Sequence, residues 1–329
     1  MRAIRIAATA AALLAIAAAP PAPRWTVSDP GQGPVALAGG SSGARELSGI
    51  TWAGGTRYYA TSDKQAALFP LSIELDPHTG TITRTAVESG IPLPGSTDPE
   101  GVAYDPEHAT VLVSDEVGPA IREYRVADGR LMRTIPVPTE FSSARKNLSL
   151  ESLSFDPDHT ALWSANEETL GVDGPLSSTV AGSTIRLQRF DRAYRPNGQW
   201  AYLSDPLFGD MMMRGRDVET SGAADLAALP DGGLLVLERA FGAGGLRIRL
   251  YEVDCSGATD ISAVKSLATA SYTPARKTLL WQRIFPNINY EGIALGPAIA
   301  DGARSLVLIS DDGHHLRQTL YALTVRPAP

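Results

Sequence analysis

The feature that most constrains this chain is a strand–turn–strand unit that recurs five times in one register. Thr97 to Val117, TDPEGVAYDPEHATVLVSDEV, shows it most clearly. Gly101 to Tyr104 is a short apolar run, Asp105-Pro106-Glu107-His108 is a turn, and Val111 to Val113 is a second run ending in Ser114-Asp115-Glu116. Proline presets φ in such a turn and Asp hydrogen-bonds its own backbone. The start of one hairpin strand and the end of the next lie at the same end, so Glu100, Asp115 and Glu116 share an edge opposite the turn. Four more units follow the plan: Glu46–Trp52 with Tyr58–Asp63, Leu150–Phe155 with Ala161–Asn166, Ala224–Leu229 with Leu234–Glu238, and Tyr290–Leu295 with Leu306–Asp311. From Ile50 to Asp63, Val102 to Asp115 and Leu153 to Asn166 the separation is 13 residues, from Leu226 to Glu238 it is 12, and from Ile293 to Asp311 it is 18. A fixed period of this kind marks a repeat architecture.

Each unit continues past its hairpin. Third strands are expected at 68–75, 120–126, 184–190, 246–253 and 319–325. Fourth strands are expected at 81–87, 131–137, 199–203 and 278–284. Four-stranded sheets repeated radially are propeller blades. The reading is therefore an all-β chain folded as a single β-propeller of four-stranded blades. The fifth unit lacks a fourth strand, and Pro34 to Ala38 is an unassigned strand near the start. That strand is expected to close the ring, because an open blade would expose unpaired backbone. Five blades are expected. Six stay open at this stage, since Leu153 to Leu226 and Leu226 to Ile293 span 73 and 67 residues against 52 and 51 for the earlier steps.

Arg2 and Arg5 precede an apolar run, Ala7 to Ala19, too short to span a bilayer, followed by Pro20, Pro21 and Pro23. Residues 1–22 read as a secretory signal peptide and 23–329 as the propeller, giving an exported, periplasmic or extracellular protein with no membrane span after cleavage. Of 29 basic side chains 27 then remain against 36 acids, a net charge of −9. That argues against nucleic acid and anionic lipid as partners. A monomer is expected. Cys255 is the one cysteine, so no intrachain disulfide can form.

The strand order sorts residues by face. His78, His108 and His159 fall in Asp-Pro turns on the face away from the acids, where they read as turn residues. Only His314 and His315 reach the acidic face, which weakens any Ser-His-Asp arrangement. The long connections Phe141–Ser149, Glu167–Ser183 and Ser204–Gly222 belong to the acidic face, and Met211–Arg216 reads as a loop packing its own methionines. First strands line the channel of a propeller, which sets Glu100, Glu151 and Glu291 at equivalent places at its mouth, with Ser48 in the first blade and Asp225 offset by one. Asp63, Asp115, Glu116, Asn166, Glu167, Glu238, Asp311 and Asp312 stand around them. Converging carboxylates raise one another's pKa unless a cation sits among them. Oxygen ligands without cysteine favour Ca²⁺ or Mg²⁺ over zinc. Asn147 can add a carbonyl ligand. Lys64 and Arg239 can hold an anionic group.

ELSGITW, TDPEGVAYDPEHATVLVSDE, RKNLSLESLSF, ADLAALPDGGLLVLER, and NYEGIALGP with LVLISDDG resemble the esterase-like phytase domain of secreted bacterial proteins, over nearly all of Gly43 to Val325. The resemblance implies a β-propeller, export and phosphoester hydrolysis with Ca²⁺. It carries roles to Glu100, Asp115, Asn147, Glu151, Glu238, Arg239, Glu291, Asp311 and Asp312. The chain departs from the pattern at Ser152, where Gly49, Gly101 and Gly292 stand in other units. It also lacks the dense Lys/Arg cluster expected for a highly phosphorylated substrate. The expectation is an enzyme in which Glu100, Glu151, Glu291, Lys64 and Arg239 act on a small anionic ester or phosphoester. The alternatives are a calcium lactonase or similar ester hydrolase, and a non-catalytic binding propeller with a structural metal.

Overall fold

The computed structural model describes residues 22–38, 43–207, 221–242, 245–311, 313 and 317–329. Residues 1–21, most of the expected signal peptide, together with Met211–Arg216, Asp312, His314 and His315 lie outside the described residues. The described chain forms five antiparallel sheets. Blade 1 is Leu47–Trp52, Arg57–Ser62, Ala67–Leu75 and Ile82–Val87, with Ile91–Pro92 added along its third strand. Blade 2 is Pro99–Asp105, Thr110–Asp115, Ala120–Arg125 and Leu131–Ile135. Blade 3 is Leu150–Phe155, Ala161–Asn166, Thr184–Asp191 and Pro196–Leu203. Blade 4 is Ser221–Ala228, Leu234–Gly242, Gly245–Asp254 and Arg276–Phe285, and blade 5 is Asn289–Ala298, Arg304–Asp311 and Thr319–Pro327. Each first strand packs against the first strand of the next blade, and that of blade 5 against blade 1, which closes a ring. The protein is a five-bladed β-propeller. Besides its strands, the described chain has one short 3-10 turn, Thr139–Ser143, and no helix long and apolar enough to cross a membrane.

The ring closes one strand earlier than the sequence pattern indicates. The outer strand of blade 5 is chiefly Trp25–Ser28, running from Trp25 against Pro327 to Ser28 against Thr324. Val35 and Ala36 pair further along the same edge, with Leu320 and Thr319. Two segments share the role because one short strand cannot cover all of Thr319–Pro327. Trp25 is buried among residues of blades 4 and 5, and its indole donates to Asp231 at 3.0 Å. Arg24 pairs with Glu252 at 2.8 Å and Asp231 at 3.1 Å, fastening the closing strand to blade 4 as well.

The hydrophobic core is five layers, one in each gap between blades. Strand side chains alternate between the two faces of a sheet, so each blade offers one set to either neighbour. Val102, Val111 and Tyr124 of blade 2 meet Tyr59 and Leu68 of blade 1, whereas Ala103, Leu112 and Ile121 meet Leu162 and Phe190 of blade 3. Among the described residues neither of the long intervals that left six blades open holds a further sheet. Residues 255–275 of blade 4 fold over blade 3, where Ile261 and Ala275 donate N–H bonds to Gln199 and Ala201, covering the outer edge of that blade.

Candidate functional site

The first strands share an irregularity that builds the site. In every blade the pairing between strands one and two slips at an equivalent point, between Leu47 and Ile50, Pro99 and Val102, Leu150 and Ser152, Ala223 and Asp225, and Tyr290 and Gly292. A bulge re-aims the side chain it carries. The bulged positions hold Ser48, Glu100, Glu151, Ala224 and Glu291. Glycine follows in three of them because the inner strands abut. A Cβ on Gly49 would lie 2.4 Å from the carbonyl oxygen of Glu100, one on Gly101 2.5 Å from that of Glu151, and one on Gly292 2.4 Å from that of Ser48. Blade 3 has Ser152 at this place, fully buried.

A second tier comes from the ends of the second strands. Aligned by pairing, with Ile50, Val102, Leu153, Leu226 and Ile293 opposite Ala60, Val113, Ser164, Val236 and Leu308, the equivalents are Asp63, Glu116, Glu167, Arg239 and Asp311. This places two predicted residues differently from the sequence spacing. Asp115 and Glu238 stand one position earlier, and successive strand residues face opposite sides. Asp115 is fully buried, pairs with Arg122 at 2.5 Å, and accepts hydrogen bonds from Ser96 and Thr97. Glu238 accepts from Tyr202 and Lys277 in the gap toward blade 3. Asn147 is exposed, with φ of 58° in the turn Arg145–Leu148, a conformation asparagine tolerates. Asp312 lies outside the described residues. Glu100, Glu151, Glu291, Asp311, Lys64 and Arg239 stand together at the mouth.

The acids form a nearly continuous chain. Ser48 donates to Glu100. Glu116 accepts the N–H of Ser149 at 2.7 Å, while its other oxygen, Oε2, is buried and meets no N–H or hydroxyl donor among the described residues, only neighbouring carboxyls. Glu151 lies within hydrogen-bonding reach of the carboxyls of Glu116 and Glu167. Arg239 bridges Glu167 at 2.7 Å and Glu291 at 3.1 Å. Lys64 pairs with Asp63 and lies near Asp98 and Glu100. One carboxylate oxygen each from Glu100, Glu116 and Glu151 fall within 4.8 Å of one another, and so do those of Asp63, Asp98 and Glu100. Asp98, in the loop before the first strand of blade 2, has no place in the repeat pattern.

Burial holds Glu100 and Glu151 well above the ordinary carboxylate range. Glu291 and Glu116 push Glu100 further in that direction, as Glu100 and Glu116 push Glu151. Burial moves Glu116 up to about 8 against the lowering effect of the Ser149 N–H. It moves Glu291 up to about 7, with the Arg239 guanidinium opposing. Glu167 is raised by burial, again against Arg239. A bare cluster is therefore held partly protonated, and a divalent cation would satisfy the same oxygens. The donors fit calcium. They are all oxygen, one of them is a buried acceptor facing only other carboxyls, and their mutual separation suits oxygens on opposite sides of an ion with 2.3–2.6 Å bonds. Asp225 ties the first strand of blade 4 to that of blade 5, accepting the N–H groups of Leu226 and Ile293 at 2.8 Å each. Burial holds its carboxyl well above the usual range too, against these N–H bonds.

Fold and site together define a five-bladed propeller with a carboxylate-lined channel mouth. The chain belongs to the phytase-like family, described as "esterase-like activity of phytase", which matches residues 42–314. No curated protein matches the chain significantly. Among solved structures it is similar to the PQQ-bound aldose sugar dehydrogenase of Streptomyces coelicolor, at 15% identity and TM-score 0.43, covering 94% of this chain and 100% of that one. A luciferin-regenerating enzyme has 14% identity and TM-score 0.45 over 89% of this chain and 95% of its own. The calcium-binding protein regucalcin from Agrobacterium tumefaciens has 13% identity and TM-score 0.41, over 86% and 91%.

Proposed function

We propose that this protein is an exported, calcium-dependent hydrolase of small anionic esters, phosphoesters foremost. The observation that carries the proposal is the convergence of Glu100, Glu116 and Glu151, buried and held toward protonation, with a Glu116 oxygen among them that faces only other carboxyls. These three would hold the cation, with Asp63 and Asp98 adjoining through Glu100. Calcium, when bound, supplies polarisation of a phosphoryl or carbonyl oxygen and acidifies a water. Ser48 fixes the orientation of Glu100 through its hydroxyl. Arg239 bridges Glu167 and Glu291 and compensates both charges. Glu291, with its pKa moved to about 7, is suited to take and return a proton near neutral pH. Lys64, half-exposed at the rim, can exchange Asp63 for an anionic substrate group. The leader-like Arg2, Arg5 and Ala7–Ala19 support export.

One observation favours a carboxylic ester or lactone over a polyphosphate. Arg239 and Lys64 are already paired with carboxylates, which leaves little positive charge for several phosphates. The test is calcium titration together with hydrolysis of p-nitrophenyl phosphate, p-nitrophenyl acetate and a γ-lactone. Glu100→Gln and Glu151→Gln should each weaken calcium binding and turnover together by about tenfold or more, and Glu291→Gln should lower turnover while leaving calcium binding nearly intact. His108→Ala, in an exposed turn on the opposite face, should change neither. Full activity in EDTA would end the proposal, and calcium binding without turnover of any of the three would make the metal structural.

A further inference from the structure

The channel has a second mouth, on the face away from the acids, and its chemistry is of another kind. The far ends of all five first strands surround a cavity of about 270 Å³, near the lower end of the range for small-molecule sites. Trp52, Tyr104 and Phe155 supply aromatic walls from blades 1, 2 and 3. Arg304, from the second strand of blade 5, lies 5.8 Å over the Trp52 ring and donates to the carbonyl of Gly296 at 2.8 Å. None of the ion pairs among the described residues involves Arg304, and its Nε is buried without a hydrogen-bond partner. His159 lines the same cavity, stacked on Phe155 at 4.9 Å, and its Nδ1 is likewise buried and unpartnered. Asp156 is the acid here, and its oxygens are taken by the N–H groups of Thr160 and Ala161 and the Thr160 hydroxyl. Buried donors without partners are costly and are normally satisfied. Asp225, on the first strand of blade 4, has both oxygens taken by the N–H groups of Leu226 and Ile293.

We infer that this cavity is a second ligand site, for a small aromatic carboxylate. Its ring would lie among Trp52, Tyr104 and Phe155, and its carboxylate would pair with the Arg304 guanidinium, with the His159 ring beside it. A guanidinium on an aromatic face is a recurrent way to seat a planar anion. The inference is independent of hydrolysis at the acidic mouth.

The experiment is calorimetric titration of the full chain with naphthalene-2-carboxylate and, separately, with the neutral naphthalene-2-carboxamide. The acid should bind one to one and at least tenfold more tightly than the amide. Arg304→Gln should weaken the acid about tenfold or more and leave the amide unchanged, and Glu151→Gln at the other mouth should alter neither. Absence of saturable binding at millimolar acid would overturn the inference, as would equal affinity for acid and amide or an unaffected Arg304→Gln. Should Arg304→Gln fail to fold, the comparison of acid with amide on the unaltered chain decides.

Discussion

Without a cation among its buried acids this protein should become less stable as the pH rises, the reverse of the usual behaviour of salt-bridged acids. A carboxyl whose value in the fold exceeds its value in the unfolded chain binds its proton more tightly in the fold. Its stabilising share is complete below the ordinary value of 4.5 and is lost as the pH climbs through its folded value. Glu291, moved to about 7, favours its protonated form by about 3 kcal/mol, and Glu116, moved to about 8, by somewhat more. Burial is the first cause in both. The window is therefore about pH 4.5 to 8. At about 2 °C per kcal/mol in a chain of this size, Glu291 alone is worth a Tm decrease of about 6 °C. On the proposal above, calcium would offset the loss, because it would neutralise the neighbouring buried acids and bind only the fold; at 100 times Kd it would add about 2.7 kcal/mol. The assay is thermal unfolding from pH 4.5 to 8.5 in EDTA and in millimolar calcium. The EDTA curve should fall with pH and the calcium curve should stay level or rise. Glu151→Gln sharpens the test. At pH 8 it should melt above the parent in EDTA, since one repelling charge is gone, and gain less than the parent from calcium. Coincident curves in the two media, or a glutamine variant less stable than the parent in EDTA at pH 8, would refute the reasoning.

Trp25→Ala should cost about 3–5 kcal/mol in urea unfolding, since the closing strand keeps its place through that buried ring; a loss under 1 kcal/mol would show the closure to be dispensable. Arg239→Met leaves Glu167 and Glu291 uncompensated. It should destabilise by about 3–5 kcal/mol at pH 8 and clearly less at pH 5, where protonation relieves both acids, and an equal loss at the two values would contradict the bridge. Gly101→Ala forces a methyl group toward the Glu151 carbonyl, 2.5 Å away, and should cost about 1–3 kcal/mol and lower calcium affinity. Gly257→Ala, with open space around it, should be near neutral in the same measurements.

The repeat was legible because each blade restates one hairpin, and its inner strands hold the predicted Glu100, Glu151 and Glu291. The second tier was harder to read, because spacing in sequence is not pairing register. Blade 1 brings Trp52 opposite Tyr58, and blade 2 brings Asp105 opposite Thr110, one residue further along relative to Ile50 and Val102. That step moves the mouth residue from Asp115 to Glu116. Blade 4 keeps the register of blade 1, with Leu226 opposite Val236 as Ile50 is opposite Ala60, so there the 13-residue spacing itself leads to Arg239, and the 12-residue spacing to Glu238 stops one position short. The bulges that re-aim the glutamates left one trace, the glycine after the acid. Asp98 left none, being fixed by its loop rather than by the period. The closing strand was hidden for a similar reason: WTVS is only four residues long, and PVALA was the more conspicuous run.

The closing strand also fixes how the ring responds to force. Trp25 lies opposite Pro327, and the N–H of Ala328 bonds the carbonyl of Arg24 at 2.7 Å, so residues separated by about 300 positions in sequence meet at one end of an antiparallel pair. Tension between residues 24 and 328 would load that ladder one bond at a time, like the tab of a zipper, instead of shearing all its bonds together. The same contact is among the longest loops the chain must close, so four blades can complete from contiguous sequence while the fifth waits with the edge of Thr319–Pro327 bare. The late species in refolding is then an open ring, able to accept a strand from a second molecule in place of its own.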